Sequence, residues 1–350
     1  MRHKVASLFE NYFSEFIQRV GQRGMLGRSN APAVVSPFSR SAGAAANSKL
    51  ATAGEATFRA LLIGWSQRSV SRSLMKAGVY AGSAGTLIAA ILLFKSWWAV
   101  LICQALLGLV YAHGLELTHE ALHHNMFERN RYNRILGFIT AAPMLVSYSH
   151  YRFQHLHHHR FVGTEHDKEL FDYDARSLRN PAAFFLRAWN LMRIPSFFRT
   201  LIRMWRGQFP EVFATPAQQM DALVEYTIIA SVFILALVLS LAGVTHFFLL
   251  IWFIPWLGFG EFFHFLIELP EHIGCDKTHR DVRINTRSYR TNPIWFYITN
   301  GNNFHIEHHL YPHVAVHQLR HLCAHLEIEG VTPVPSTLAA FRALFAGRQK

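Results

Sequence analysis

The chain has 350 residues, of which 51% are hydrophobic and only 16% are charged, and its mean hydropathy is +0.14. This composition is too apolar for an ordinary soluble enzyme and indicates a protein embedded in a membrane. The net charge of +12 would also suit a nucleic-acid partner, but the sequence carries no nucleic-acid-binding motif, and basic residues of apolar proteins more often face anionic lipid.

The N-terminal part of the chain predicts three segments. Residues 1–20 place Val5, Phe9, Phe13 and Phe16 on one helical stripe, which predicts an amphipathic helix. Its apolar side would lie either on the membrane surface or against the main domain. Residues 21–55 are rich in Gly, Ser, Ala and Pro, which is typical of a flexible linker. A basic segment, residues 56–77, follows before the first apolar stretch.

Four apolar stretches predict an all-α integral membrane fold with two transmembrane hairpins. The first hairpin comprises residues 78–94 and 97–117, and the second comprises residues 224–241 and 246–267. About 20 apolar residues in a helix suffice to span a bilayer. We expect the main domain to cover residues 78–325 and a C-terminal tail to cover residues 326–350.

The distribution of basic residues predicts the orientation of these spans. Four spans place both chain ends on the same side, and the flanks on that side are rich in Lys and Arg, whereas the opposite side shows only Lys95. The positive-inside rule therefore puts the termini in the cytoplasm. Residues 182–206 carry five Arg and no acid among apolar side chains, which predicts interfacial helices on an anionic leaflet.

Three histidine clusters follow apolar segments on the predicted cytoplasmic side. Two of them share the spacing H-x-x-H-H, and because positions i, i+3 and i+4 share a helix face, each can present three imidazoles to one centre. The other cluster contributes an i, i+4 pair, while His124 is turned away from it. Imidazole suits iron, copper, zinc or nickel, and eight ligands require two ions. The eight candidates are His119, His123, His155, His158, His159, His305, His308 and His309.

Two other functions fit parts of this pattern. The string His119-Glu120-Ala121-Leu122-His123 also matches the H-E-x-x-H motif of zinc proteases, but such an enzyme has no use for two further histidine clusters. A histidine-rich protein that binds or transports metal is the non-enzymatic alternative. It should place its ligands near the middle of the membrane, whereas these clusters lie at one edge.

The three clusters resemble the histidine boxes of the membrane fatty acid desaturase superfamily, which is related to alkane hydroxylases. The third box, from Asn303 to Pro312, is the longest match, and the resemblance extends over about residues 80–320, which identifies 78–325 as a desaturase-like domain. The resemblance implies a cytoplasmic cap that holds two non-haem Fe ions, with O2 as co-substrate and external electrons. Desaturation of a fatty-acyl chain is the implied reaction, and hydroxylation of a lipid or alkane is the alternative.

Family members bind their irons through nine histidines, so the resemblance implies a ninth ligand near the end of the fourth span. We choose His272, because Glu271-His272 resembles an alkane-hydroxylase motif. His264 is the competitor, since it would match the desaturase pattern. No catalytic residue beyond these ligands is predicted. Nearby acids could orient the imidazoles by accepting their other N–H groups. The candidates are Glu116, Glu120, Asp167, Glu261, Glu268 and Glu307.

The partners follow from the same resemblance. The sequence contains no His-Pro-Gly-Gly string of a fused cytochrome b5, so electrons should come from a separate ferredoxin, rubredoxin or cytochrome. The arginine-rich cytoplasmic face would attract an acidic donor. We expect a lipid or fatty-acyl substrate, no nucleic acid, and a multi-pass location in a bacterial inner membrane.

Overall fold

A computed structural model describes residues 47–167 and 175–346 of the chain, and within them the fold is helical, with two isolated β-bridges and no extended strand. The chain divides into two units, residues 1–60 and 61–350, and the helix packing described below is that within the second unit. The α-helices are α1 (Asn47–Trp65), α2 (Val70–Leu93), α3 (Trp97–Leu122), α4 (Asn130–Ala141), α5 (Tyr148–Phe161), α6 (Pro181–Ala188), α7 (Arg193–Trp205), α8 (Pro216–Leu241), α9 (Glu261–His272), α10 (Val282–Asn285), α11 (Pro293–Ile298), α12 (His305–Leu310), α13 (Leu319–Ile328) and α14 (Thr337–Ala346), and a π-helical segment covers Phe248–Gly260.

Four helices of the described residues are long and apolar enough to cross a membrane: α2, α3, α8 and the continuous segment Phe248–His272. They match the four predicted spans, but α2 and α8 begin eight residues earlier than expected and the last ends at His272. The predicted starts relied on apolar side chains alone, whereas Ser69 and Thr215 cap the helices with side-chain hydrogen bonds and allow polar first turns.

Helix α3 is the central element of this unit. It packs against α2, α4 and the Phe248–His272 span, and every residue from Tyr111 to its end is buried. Gly108 lets the fourth span approach closely, because a Cβ there would meet the Pro255 carbonyl and lie only 2.7 Å from Phe259 Cβ. Pro255 cannot donate a backbone hydrogen bond, and it lies inside the π-helical segment.

Helices occur at both ends of the described chain. Helix α1 occupies residues 47–55 of the predicted linker, where alanines at 51 and 53 favour a helix. At the other end, helix α14 lies within the predicted tail, where it packs against α9 and Leu344 is only 2% exposed. The apolar positions of α14 recur at helical spacing and bury one face. The predicted amphipathic helix over 1–20 and the linker up to residue 46 lie outside the described residues.

Candidate metal centre

The first two histidine boxes meet at the end of α3. His119 lies in the last turn of α3 and His123 directly follows the helix, while His124 has a positive φ of 58° and belongs to the turn after it. The second box lies on α5, where His155 and His158 are buried. Ser147 caps α5 by accepting a hydrogen bond from the backbone N–H of His150. Helix α5 therefore presents its box to the end of α3.

The remaining imidazoles come from the C-terminal third of the chain. The third box forms the short helix α12, in which all of the first five residues are buried. A tight turn precedes it, with Asn300 and Gly301 in the left-handed region at φ 46° and 77°. Gly301 is required there, because a Cβ would lie 2.7 Å from Val316 Cγ1. His272, the last residue of α9, is also buried.

The structure brings all nine predicted ligands together in two groups. The five-histidine group comprises His119, His123, His155, His159 and His308. His155 Nε2 lies 2.9 to 3.0 Å from the Nε2 atoms of His119, His123 and His159. His159 Nε2 lies 3.1 Å from that of His308. The four-histidine group comprises His158, His272, His305 and His309. Its neighbouring Nε2 atoms lie 3.0 to 3.3 Å apart.

The assignment of ligands within each H-x-x-H-H box corrects the sequence-based expectation. A single box was expected to serve one centre, but His155 and His159 belong to the five-histidine group while His158 belongs to the four-histidine group. In the third box, His305 and His309 contact the second group while His308 contacts the first. Positions i and i+4 are only about 40° apart around a helix, whereas i+3 is about 100° from i+4. Each box therefore contributes imidazoles to both histidine groups.

These separations fit bound metal ions. A metal holds an imidazole nitrogen at about 2.1 Å, so two ligands at right angles are about 3 Å apart. Without a cation, one Nε2 could share a hydrogen bond with only one neighbouring Nε2, yet His155 Nε2 lies 2.9 to 3.0 Å from three of them. Nine ligands exceed the coordination of a single ion. The donors therefore fit two ions, one in each group.

Hydrogen bonds at Nδ1 leave Nε2 available as the ligand atom. His272 Nδ1 lies 3.1 Å from the backbone carbonyl of Asn285, which can only accept, so the ring must donate from Nδ1 and keep a lone pair on Nε2. His158 Nδ1 lies 2.9 Å from Asp167 Oδ2. Such partners fix the tautomer and the ring plane of a metal ligand.

Four candidate ligands outside the membrane spans are held in their neutral form. Burial, together with the neighbouring imidazoles, lowers the pKa of His155, His159, His308 and His309 well below its usual value. Only neutral imidazole has a lone pair for a metal.

His264, the competing ninth ligand, lies outside both groups. Its Nε2 is 3.1 Å from Glu268 Oε1, one helical turn away on α9. His272 instead contacts two members of the four-histidine group, with Nε2 atoms 3.3 Å from that of His158 and 3.0 Å from that of His305. The geometry therefore favours His272 over His264.

The acids that were expected to orient imidazoles have mixed positions. Asp167 contacts His158, as described above. Three others pair elsewhere: Glu120 with Lys76 at 2.7 Å, Glu261 with Arg193, and Glu307 with Ser288 at 2.5 Å. Glu116 accepts a hydrogen bond from Asn302, and Glu268 contacts His264. These carboxylates have strong local partners, which the sequence spacing does not reveal.

Asn302 was missed by the sequence analysis and connects three groups near the four-histidine site. Its Nδ2 donates to Glu271 Oε1 at 3.0 Å and to Glu116 Oε2 at 3.2 Å, while its Oδ1 lies 3.3 Å from His305 Nδ1. Glu271 Oε2 is itself 3.4 Å from His305 Nε2. The only sequence signal is that Asn302 precedes His305 by three residues, in a loop without periodicity.

A cavity of about 420 Å³ opens onto the two histidine groups. Its wall includes members of both histidine groups, the start of α7 and the inner face of α9. A cavity of this size falls within the usual range for small-molecule sites. A substrate inside it would lie directly against the candidate ligands.

Comparison with known proteins agrees with this geometry. The chain is 28% identical over 229 residues to the dihydrorhizobitoxine desaturase of Bradyrhizobium elkanii, an alignment that covers 62% of this chain and 64% of that protein. The sequence profile described as fatty acid desaturase matches residues 95–327, a range that contains all nine histidines and three of the four spans in full. The chain therefore belongs to the fatty acid desaturase family.

Proposed function

We propose that this protein is an O2-dependent oxidoreductase that uses two iron ions to introduce a double bond into a saturated carbon chain. The observation that carries the proposal is the convergence of nine imidazole Nε2 atoms in two adjacent groups beside a substrate-sized cavity. Membership in the desaturase family supports the reaction type.

Iron is the proposed metal because the reaction requires electron transfer. An all-imidazole site accepts iron, copper, zinc or nickel, but zinc has no redox chemistry. Neutral imidazoles also leave more positive charge on the metal pair than carboxylate ligands do. A strongly oxidising centre is what the cleavage of an unactivated C–H bond needs.

The proposed reaction converts R–CH2–CH2–R′, O2, two electrons and two protons into R–CH=CH–R′ and two water molecules. The bound irons would supply the oxidation of the two C–H bonds. The protein holds the ligands in place: Asp167 and the Asn285 carbonyl engage the Nδ1 atoms of His158 and His272, and Asn302 lies beside that of His305. Seven of the nine candidate ligands are buried, which limits their contact with water.

The substrate and the electron donor belong to the same proposal. Family membership implies a lipid substrate and a membrane setting, and a fatty-acyl chain is the proposed default. The Bradyrhizobium elkanii relative is named for dihydrorhizobitoxine, and the present chain spans 64% of its length, so desaturation is the part of its name that is carried over. A separate ferredoxin, rubredoxin or cytochrome would supply electrons at the cytoplasmic face of a bacterial inner membrane.

Hydroxylation is the second candidate, and the position of His272 favours it. This residue, which lies in the four-histidine group, belongs to the run that resembles the alkane hydroxylases. Both reactions begin with the removal of one hydrogen atom. They differ in whether a second hydrogen is removed or oxygen is delivered.

The test is expression of the wild type and of His308→Ala in a host with simple lipids, followed by GC–MS of fatty acids and hydrocarbons and by metal analysis of the purified proteins. We expect new alkenes with the wild type only, and about two irons per wild-type chain. New alcohols would identify a hydroxylase. Bound metal with no oxidised product in any fraction, polar metabolites included, would indicate a metal-binding protein and overturn the proposal.

A further inference from the structure

The carboxylate of Glu271 reaches the ligand atoms of the four-histidine group. Its Oε2 lies 3.4 Å from His305 Nε2. Glu271 belongs to the last turn of α9, directly before His272, and it is buried. An oxygen donor therefore lies at the edge of a site whose other candidate ligand atoms are imidazole nitrogens.

Asn302 fixes the orientation of this carboxylate. The Nδ2 of Asn302 donates to Glu271 Oε1 at 3.0 Å and to Glu116 Oε2 at 3.2 Å. Since carboxylate oxygens accept hydrogen bonds, these two contacts identify Nδ2 as the donor side of the amide and Oδ1 as the acceptor side. The hydrogen bond at Oε1 leaves Oε2 as the oxygen of Glu271 that faces His305.

The same amide determines where His305 carries its proton. Asn302 Oδ1 lies 3.3 Å from His305 Nδ1. Because Oδ1 can only accept, Nδ1 must donate, and the neutral ring keeps its lone pair on Nε2. This lone pair faces the Glu271 oxygen. Two electron-rich atoms at such a distance repel each other unless a positive charge lies next to both.

A single proton does not account for the surroundings of His305 Nε2. Besides the Glu271 oxygen, this atom lies 3.0 Å from His272 Nε2 and 3.2 Å from His309 Nε2. A hydrogen on Nε2 could be donated to only one of these three neighbours. A metal ion can bind all of them, because ligands held at about 2.1 Å and tetrahedral angles lie about 3.4 Å apart. The contact between Glu271 and His305 has the separation of a ligand pair.

The burial of Glu271 also calls for a cation. The residue is only 7% exposed. A carboxylate taken out of water must be compensated by opposite charge or by metal coordination, because the cost of removing its hydration is several kcal/mol. The Asn302 amide is neutral, so its hydrogen bond does not balance the negative charge. A divalent ion in the four-histidine group would balance it.

We infer that Glu271 is an additional ligand of the metal centre and binds, through Oε2, the ion of the four-histidine group. This inference rests on the two-iron centre of the proposed function. The two ions then differ in charge environment, because the ion of the five-histidine group has neutral ligands and the ion beside Glu271 has an anionic one. A hard anionic oxygen stabilises the ferric over the ferrous state, so the iron beside Glu271 has the lower reduction potential.

The experiment compares iron binding by purified variants in phosphatidylcholine nanodiscs. Glu271→Gln removes the charge at constant shape and keeps an oxygen that can accept from Asn302. The matched control is Glu116→Gln, because Glu116 accepts from the same Asn302 amide and lines the same cavity. Competition with a chelator measures the affinity for each Fe2+, and a spectroelectrochemical titration measures the midpoint potentials. Chemical denaturation of the iron-free proteins measures structural damage.

We expect the wild type and Glu116→Gln to bind two irons with equal affinities. Glu271→Gln should bind one of the two irons more than about 100-fold more weakly, a larger loss than that for a residue that only orients a ligand. With iron in excess, the midpoint potential of that iron should rise. The iron-free forms of Glu271→Gln and the wild type should be equally stable. Glu271→Asp, which keeps the charge but withdraws the oxygen, should also weaken one iron, and it serves as the test if Glu271→Gln does not fold.

The inference would be overturned by unchanged affinity and potential in Glu271→Gln, or by equal losses in Glu271→Gln and Glu116→Gln. A loss of affinity that accompanies an equal loss of stability in the iron-free protein would assign Glu271 a structural role and also overturn it. Failure of the proposed function has a different signature, which is a wild type that binds two irons and yields no oxidised product. The comparison of iron affinities would still decide whether Glu271 is a ligand.

Discussion

The carboxylate of Glu225 accepts a hydrogen bond from the backbone N–H of Ser149, with Oε2 and N 2.7 Å apart. Glu225 lies on the third span and Ser149 in the first turn of α5, the helix that carries the second histidine box. Ser147 and the Ser149 hydroxyl also donate to this carboxylate, and Arg134 pairs with it at 2.9 Å. Glu225 is only 4% exposed, and it ties the box to the membrane helices.

Replacing Glu225 should therefore loosen the metal centre. We expect Glu225→Ala to lower the free energy of unfolding by about 1–3 kcal/mol, because it leaves buried donors of α5 without an acceptor. Asp221→Asn is the control, since Asp221 contacts the same Arg134 from a side chain that is 36% exposed. Chemical denaturation of both variants measures the difference. Equal stability of the two would show that Glu225 does not anchor α5.

The ninth ligand can be identified by metal stoichiometry. His272→Ala should reduce bound iron from about two to about one per chain, since it removes one of only four imidazoles in its group. His264→Ala should retain about two. Metal analysis of both purified variants gives the answer. The reverse pattern would make His264 the ligand.

Asp167 should tune metal affinity through His158. Asp167→Ala is expected to weaken metal binding about 10- to 100-fold, the usual effect of removing a carboxylate behind a ligating histidine. Glu165→Ala provides the control, because Glu165 is on the same loop with a side chain that is 90% exposed. Competition with a chelator measures both affinities. An unchanged affinity in Asp167→Ala would contradict this role.

Gly108 should be intolerant of any side chain. Gly108→Ala would place a Cβ 2.9 Å from the backbone nitrogen of Gly260 and even closer to Pro255, so we expect a loss of about 1–3 kcal/mol in stability. Gly85→Ala, on α2, meets nothing within 4 Å and should be neutral or stabilising. Thermal unfolding in nanodiscs distinguishes the two variants. A neutral Gly108→Ala would refute the close packing of α3 and the fourth span.

His150 should contribute to the pH dependence of stability. Burial lowers its pKa from 6.5 to about 4, so between these values the unfolded chain binds a proton that the folded chain does not. The contribution of His150 to the free energy of unfolding is therefore fully present above pH 6.5, and it is lost as the pH falls toward 4. We expect His150→Gln to lose less stability than the wild type between pH 7 and pH 5.

The exposed His321 provides the control for this experiment, because His321→Gln should retain the pH dependence of the wild type. Thermal midpoints of all three proteins at both pH values test the expectation. If the three midpoints shift equally, the buried imidazole of His150 is not responsible.

The spans and the histidines could be predicted because both signals are local. Continuous apolar stretches define membrane helices through the cost of burying polar groups in lipid, and the spacing within each box defines one helix face. The helix starts were less predictable, because caps such as Thr215 permit polar residues in the first turn. The buried role of Glu225 was not predictable either, because its partners are 76 to 91 positions away along the chain.

The sequence by itself determined that the four spans exist, that three histidine boxes lie beyond them, and that the candidate metal ligands are imidazoles. Only the tertiary structure decided how nine rings divide between two groups, that His272 joins them while His264 does not, and that the adjacent cavity is lined by opposite charges. The physical reason is that coordination and charge pairing depend on distances of about 3 Å between side chains of different helices, and helix packing sets those distances.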